Sequence, residues 1–437
     1  MTERMTAAGR ARPTGAAGES PALTGATWAA LISASLGWMF DSMDLNIFTL
    51  LIFPSISELI GSKNPADIAA VSGAIIAIKL FAWGVGGVVF GVVADRIGRA
   101  RTMIITILIY SIFTGLSGLA QNVFQLAVLQ GLAGVGIGGE WAAGAALVAE
   151  VWPEGSRTKA LQVMQMSFSF GNFIAAGVNI VLAPYGWRWV LAAGALPGLI
   201  TLFIRRYVPE PARWVAARER QRSAGADDRA AATLAAIFRP PFRRRTIVGV
   251  VIALAMMIGA WGGTTLIPVW INQLLGAAAT PSARANAVSQ AVIVMNLGAI
   301  VGYLSLMWLT QAIGRRPSYF ISATMAFVMS AVMFTRATTI QDILVYVFFY
   351  GIFAVGGFGN FAAYLPELFP TRMRATGQGF CWNAARAVTG VGPLVAGRLV
   401  GVVGSVPLAA LAVSWVFLVG SVAIWFGPET RGVPLED

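Results

Sequence analysis

Five charged side chains sit deep inside apolar stretches of this chain: Asp41, Asp44, Lys79, Glu140 and Arg386. An acid at the centre of a bilayer costs about 2.5–3.5 kcal/mol on insertion scales. A helix that only spans would not carry two. Asp41 and Asp44 are three residues apart and share one helical face. Such acids read by default as part of an ion or substrate pathway. The structural alternative is that Asp41 caps a break or that one acid pairs with a basic neighbour. Lys79 can supply that neighbour, contact a substrate, or snorkel. Glu140 lies among Gly131, Gly134, Gly136, Gly138 and Gly139, which suit close helix packing; its carboxylate is either a proton site or a partner for Lys79. Arg386 offers a planar fork that matches a carboxylate. Asn383, one turn earlier, shares its face and can donate a further bond. The competing role for Arg386 is an ion pair with Asp41, Asp44 or Glu140. Trp382 and Gln165 are candidates to line a cavity. Trp261 is a weaker one, and Trp270 suits a membrane interface better.

These residues must be positioned by membrane-spanning helices. The chain has 437 residues, 57% hydrophobic and 11% charged, against about 25% charged in a soluble domain. Apolar segments are expected near 28–53, 69–93, 102–120, 124–149, 159–183 and 187–206. After a polar stretch they resume near 246–270, 287–311, 318–335, 341–364, 376–400 and 406–426. The expected fold is an all-α membrane protein of about twelve spans in two six-helix bundles. The expected division is a disordered tail over 1–25, a first bundle over 26–207, a linker over 208–245, a second bundle over 246–427 and a tail over 428–437. The linker, with Arg218, Arg220, Arg222 and Arg243–Arg245, is expected to be partly helical near anionic headgroups.

Composition removes several classes of function. There is no histidine and only one cysteine, Cys381. Imidazole bases, histidine relays, disulfides and cysteine metal sites are therefore excluded within one chain. No cofactor or metal is expected, nor an enzyme's nucleophile–base set. A proton carried here must ride on Asp, Glu or the substrate. The net charge of +12 does not point to nucleic acid, because the basic residues fall in alternate loops. With both termini on one side, that side collects 24 Lys and Arg and the other 5. The positive-inside rule then makes both termini cytoplasmic, in what is expected to be a bacterial inner membrane.

The two halves echo each other. Glu150-x-x-Pro153-x-x-x-Arg157 recurs 217 residues later as Glu367-x-x-Pro370-x-x-x-Arg374. Gly98-Arg99 recurs as Gly314-Arg315, Gly86 as Gly302, and Pro209-Glu210 as Pro428-Glu429. Six-helix repeats of this kind build transporters whose halves rock about a site near the midplane.

The loop Gly91-Val-Val-Ala-Asp95-Arg96-Ile-Gly98-Arg99 resembles the signature G-x-x-x-D-R-x-G-R of the major facilitator superfamily. Its glycines allow close packing and a tight turn. Asp95 can accept from a neighbouring helix N-terminus or pair with arginines of the other half. The second copy has Gln311 and Ala312 at the Asp95 and Arg96 positions. Further likenesses narrow the branch. Val208-Pro-Glu-Pro-Ala-Arg213-Trp214 and Pro428-Glu-Thr-Arg-Gly432 resemble sugar-porter segments. Gly134–Trp141, Tyr364–Arg374 and Asp41-x-x-Asp44 resemble aromatic-acid, sialate and lactate proton symporters. Many members have an arginine where this chain has Gln130, so that arginine's task must be met otherwise here.

The resemblance implies alternating access, with Gly91, Asp95, Arg96, Gly98, Arg99, Glu150, Arg157, Gly314, Arg315, Glu367 and Arg374 as the gating set. The expected function is import of a small organic carboxylate by proton symport, with no partner beyond substrate, protons and the bilayer, in a monomer. Asp41, Asp44 and Glu140 are the proton-coupling candidates; Arg386, Asn383, Gln165, Trp382 and Lys79 are the substrate candidates. A sugar or polyol symporter is the runner-up. A drug exporter is less favoured, because the fifth segment lacks the glycine–proline pair typical of such members.

Overall fold

The computed structural model describes residues 23–223, 234–276, 278, 280–389 and 399–436. Most of the expected N-terminal tail, the middle of the linker, Arg398 and the far end of the eleventh apolar segment lie outside the described residues. Among the described residues, eleven helices are long and apolar enough to cross a membrane. The first six spans are α1 (Gly25–Ile60), α2 (Pro65–Ile97), α3 (Arg99–Ser117), α4 (Val123–Val151), α5 (Glu154–Leu182) and α6 (Trp187–Ile204). A short helix α7 (Ala212–Ser223) follows. Then come α8 (Phe242–Leu275), α9 (Pro281–Ile313), α10 (Arg315–Arg336), α11 (Ile340–Leu368), α12 (Arg374–Thr389) and α13 (Val406–Phe426). α12 is the described part of the segment expected at 376–400. It is too short as described to count among the eleven.

Local chemistry sets the helix ends. The Thr24, Asn122 and Thr280 side chains accept from the backbone N–H three residues on and start α1, α4 and α9. Thr339 and Asp342 form a reciprocal capping box at the start of α11. Two spans expected to be continuous are not. α6 passes through a 3-10 stretch at Ala193–Leu199, where Gly194, Pro197 and Gly198 cluster. α11 contains a π turn at Gly351–Val355 and a 3-10 turn at Gly356–Phe358. Its glycines press on α9: a Cβ on Gly356 would lie 2.8 Å from the Gly302 Cα. Apolar pattern reports removal from water, into lipid or protein alike, and is blind to these breaks.

Large apolar side chains such as Phe81, Phe124, Leu202 and Trp308 face outward, as a lipid-facing surface requires. α4 is the most enclosed span, with 89% of its apolar window buried against 22% for α5. Charges on α4 therefore face protein rather than lipid. One end of the bundle, the basic face, gathers Arg99, Glu150, Arg315, Arg374 and the C-terminal Glu436, whose carbonyl accepts from Thr371 and Arg374. The start of α1 lies on this face too, with Trp28 edge-on to Trp152.

Candidate functional site

The two acids of α1 have different surroundings. Asp44 lies in a closed polar network that joins α1 to α4. Lys79 of α2 donates to Asp44 at 2.6 Å and to the Gln130 amide oxygen at 2.9 Å. Gln130 in turn donates to Ser117 at 3.0 Å, and the Thr114 hydroxyl donates to Asp44. Asp44, Lys79 and Gln130 are all at most 1% exposed. Lys79 thus neutralises a helix-one acid. It does not pair with Glu140 and does not snorkel. The departure at position 130 also has a physical account: the cation stands on α2, and Gln130 meets it with an amide oxygen.

Asp41 sits one turn nearer the basic face, against Glu140 of α4. Both are fully buried, and none of their four carboxyl oxygens receives a hydrogen bond from a conventional donor. The two carboxyls are electrostatic neighbours. Two like charges so placed repel, and a proton on one of them relieves the repulsion. Gly37, one turn before Asp41, makes the space: a Cβ there would collide with the Glu140 carboxyl.

Arg386 of α12 interacts electrostatically with Asp41, but among the described residues it forms no ion pair. Its guanidinium lies 3.9 Å from the centre of the Trp83 ring on α2 and 5.5 Å from that of Trp382. Its Nε has no acceptor among the described residues. Trp382 stacks on Trp141 at 4.6 Å and 17° and touches Phe361 and Phe358. The break in α11 is what delivers these two phenylalanines. The indole N–H groups of Trp38, Trp83 and Trp382 are buried without acceptors among the described residues. The centre of the molecule thus holds a guanidinium and three indoles with unused donors, walled by aromatic rings.

Not every candidate is placed as expected. Asn383 is not poised to donate to a ligand. Its amide bonds to the Gly379 carbonyl at 2.9 Å, and the side chain is wedged against Gly87 of α2. A spacing of three put it on Arg386's side of the helix, but that side is the packed one. Gln165 is buried, accepts from Trp141 at 3.0 Å and lies beside Tyr303. Trp261 is 38% exposed, whereas Trp270 is buried against Phe334 and is no interface residue. Trp38, Trp83 and Trp141 were missed by sequence reasoning. Trp83 stands one turn from Lys79, and Trp141 follows Glu140, so adjacency to a buried charge was the available signal. Among the described residues no group of three or more His, Cys, Asp or Glu is arranged to hold a metal.

Below this cluster a seam runs along α2 and α12 to the basic face. A Cβ on Gly84 would lie 2.8 Å from Ala387, and one on Gly91 would lie 2.7 Å from the Ala375 carbonyl. Asp95 accepts from the backbone N–H groups of Ala375 and Thr376 at 3.2 and 2.7 Å, at the N-terminus of α12. This is the helix-end contact its position in the signature loop allowed. Arg99 pairs with Glu150 at 2.9 Å and with Asp95 at 3.0 Å, and donates to the Thr371 carbonyl. Glu150 reaches Arg374 at 2.8 Å. In the second copy Arg315 pairs with Glu367 at 2.8 Å and donates to Thr158 across the seam, while Gln311 donates to the Gly155 carbonyl. The symmetry is incomplete. Arg374 crosses to Glu150, whereas Arg157 meets Glu154 at 3.4 Å and Glu367 takes Arg315 and the Thr430 hydroxyl. Arg96 is on the surface, where its carbonyl accepts from Arg218.

The repeated Pro-Glu pairs have matching roles. Glu210 accepts from the backbone N–H of Arg99, Ala100 and Arg101 at the start of α3. Glu429 does the same for Arg315 and Arg316 at the start of α10. Gly98 and Gly314 precede those helices at φ of 117° and 99°, where a side chain would be strained. The linker helix α7 also joins this assembly: the Trp214 indole donates to the Asp95 carbonyl at 3.0 Å.

Between the first six spans and the later ones, the described hydrogen bonds and ion pairs lie at mid-height or nearer the basic face. The outermost joins Asn172 to Asn296 at 3.4 Å, and Asn172 also accepts from Asn46. In this conformation the molecule is closed toward the basic face.

A two-bundle helical membrane protein with buried charges between its bundles and a latched loop face has the architecture of a membrane transporter. The chain belongs to the Major Facilitator Superfamily, whose family profile matches residues 27–380. It is 32% identical to a probable 4-methylmuconolactone transporter of Cupriavidus pinatubonensis, covering 92% of this chain and 90% of that one. The sialic acid transporter NanX of Escherichia coli is 27% identical, with 86% and 88% covered. The cis,cis-muconate transport protein of Acinetobacter baylyi is 28% identical, with 85% and 88% covered. Among solved structures, the proton:xylose symporter XylE superposes with a TM-score of 0.78 at 17% identity, covering 94% of this chain and 98% of that one. At that identity the likeness speaks for the fold.

Proposed function

We propose that this protein imports a small organic carboxylate together with one or more protons by alternating access. The carrying observation is Arg386: a buried guanidinium with no carboxylate ion pair among the described residues, beside indole N–H groups that also lack acceptors there. A substrate carboxylate supplies the missing acceptor and charge. The transported substrates named for the relatives above, sialic acid and cis,cis-muconate among them, are consistent with an acid.

The proton is assigned to the Asp41–Glu140 carboxyl pair, which opposes Arg386 from the first bundle. Asp44 is assigned a supporting part, as the ion-pair partner of Lys79. A proton entering from the outer side neutralises the pair, the carboxylate neutralises Arg386, and the halves close over a cluster with less net charge. Opening then requires the Asp95, Glu150–Arg374 and Arg315–Thr158 contacts to part. The reading also takes the basic face and both termini as cytoplasmic, the membrane as a bacterial inner membrane, the bundle division as 26–207 and 246–427, and the working unit as a monomer.

Counterflow uptake in proteoliposomes tests the substrate class. Cis,cis-muconate, niacin, sialic acid, lactate and xylose form the panel. Uptake of one or more acids but not of xylose is expected, and Arg386→Lys should weaken the retained acid roughly tenfold, since an ammonium keeps the charge but loses the fork. Exchange of xylose with none of the acids would sink the reading.

A further inference from the structure

The starts of α8 and α10 meet the end of α13 on the basic face. There, two guanidinium groups are held by peptide carbonyls. Arg244 donates through Nε to the Phe426 carbonyl at 2.9 Å, and Arg316 donates to the Trp425 carbonyl at 2.8 Å. These are carbonyls at a helix C-terminus, which lack partners within the helix. Arg316 also lies 4.9 Å from the centre of the Trp425 ring.

Neither guanidinium has an acid partner among the described residues. Their neighbours differ: Arg245 is taken by Glu436 at 2.9 Å and Arg315 by Glu367 at 2.8 Å. Glu429 is close, but its oxygens accept from the backbone N–H of Arg315, Arg316, Thr430 and Arg431. Among the described residues Arg244 bonds only through Nε and Arg316 only through one terminal nitrogen; the Arg316 Nε is enclosed, so the terminal nitrogens are the ones left to face a ligand. Two positive forks, fixed on successive carbonyls, thus keep donors unused at the rim of a membrane span.

Their surroundings are apolar on the lipid side. Trp425 is 46% exposed and Phe426 58% exposed, at the very end of α13. This is the depth at which headgroups lie and where indoles settle. The repeat does not require the pair. The 216-residue offset that relates Gly98 to Gly314 places Ala100 opposite Arg316.

We propose that Arg244 and Arg316 form a binding site for the phosphate of an anionic phospholipid, with Trp425 and Phe426 against its glycerol and upper acyl region. Two adjacent forks match the two non-bridging oxygens of a phosphodiester. Free phosphate has the same oxygens, but the exposed rings at the bilayer edge favour a lipid source. The site rests on the reading that the basic face meets the anionic cytoplasmic leaflet. It uses no residue assigned to transport.

The test uses the purified full-length protein in detergent, titrated with dioleoyl phosphatidylglycerol, dioleoyl phosphatidylcholine or inorganic phosphate. Retained lipid is read by native mass spectrometry and stability by thermal unfolding. Phosphatidylglycerol should stay bound and raise the melting temperature more than the other two. An Arg244→Gln/Arg316→Gln variant should bind it roughly tenfold more weakly, the loss of at least one charge-assisted bond. An Arg244→Lys/Arg316→Lys variant keeps the charge and guards against a folding defect. It should bind more weakly than the native protein and more strongly than the glutamine pair. Undiminished phosphatidylglycerol binding in both variants would overturn the proposal, as would an equal response to inorganic phosphate alone. Because the readout is lipid binding, failure of the transport reading would leave the result interpretable.

Discussion

At the scale of single residues, two acids three positions apart have unlike environments. Asp44 is surrounded by Lys79 and Thr114, while Asp41 meets another carboxyl. Removing one member of a buried ion pair costs about 3–5 kcal/mol, because it strands the other charge. Asp44→Asn should therefore destabilise the protein by that order. A double Asp44→Leu/Lys79→Met variant should recover most of the loss, since neither charge remains. Thermal unfolding of the single and double variants in detergent checks this, and a double variant no more stable than the single would count against the pairing. Asp41→Asn removes no ion pair, so it should cost little stability. The sequence made both acids equally conspicuous. It could not separate them, because a spacing of three gives a shared helical face but not what other helices place opposite each turn. Asn383 shows the same limit: a spacing of three sets it one turn from Arg386, but not that its side chain packs on Gly87.

At the scale of elements, the spans were legible because length and apolarity are local properties. The breaks in α6 and α11 were not, although glycines mark both and Pro197 marks the first. The signature loop was legible as a motif, and the contact between Asp95 and the α12 N-terminus follows from a carboxylate meeting unpaired N–H groups. The repeated Pro-Glu pairs were visible only as an echo. The fold explains them as carboxylate caps for α3 and α10, which sequence distance hides: 111 residues separate Glu210 from the Arg99 backbone it caps. This capping predicts a pH dependence. Burial acts to raise the Glu429 pKa, but four backbone N–H donors outweigh it and hold the pKa below the usual glutamate value. Its contribution is then fully present above the ordinary glutamate range and is lost as pH falls through the depressed folded-state pKa. Glu429→Gln should melt below the native protein at pH 7, and the gap should narrow on acidification. A gap independent of pH would mean that the cap acts by packing rather than charge.

At the scale of the whole molecule, the two bundles meet through a seam with polar bonds concentrated from mid-height to the basic face. Charges and glycines divide the labour along it: Gly84, Gly87 and Gly91 let α2 and α12 touch, while Asp95, Glu150, Arg374 and Arg315 hold the end shut. Above the seam lie the carboxyl pair from one bundle and Arg386 from the other. In the proposed cycle, proton and carboxylate each quench one side of this unpaired cluster, which is why neither alone should drive closure. The central claim is that the Asp41–Glu140 pair carries the coupled proton. The most direct measurement is uptake of the acid retained in counterflow into proteoliposomes, with and without an inward pH gradient, by the native protein and by Asp41→Asn. The account predicts gradient-driven accumulation by the native protein, and in Asp41→Asn preserved counterflow exchange with accumulation lost. Equal accumulation by Asp41→Asn under the same gradient would contradict it.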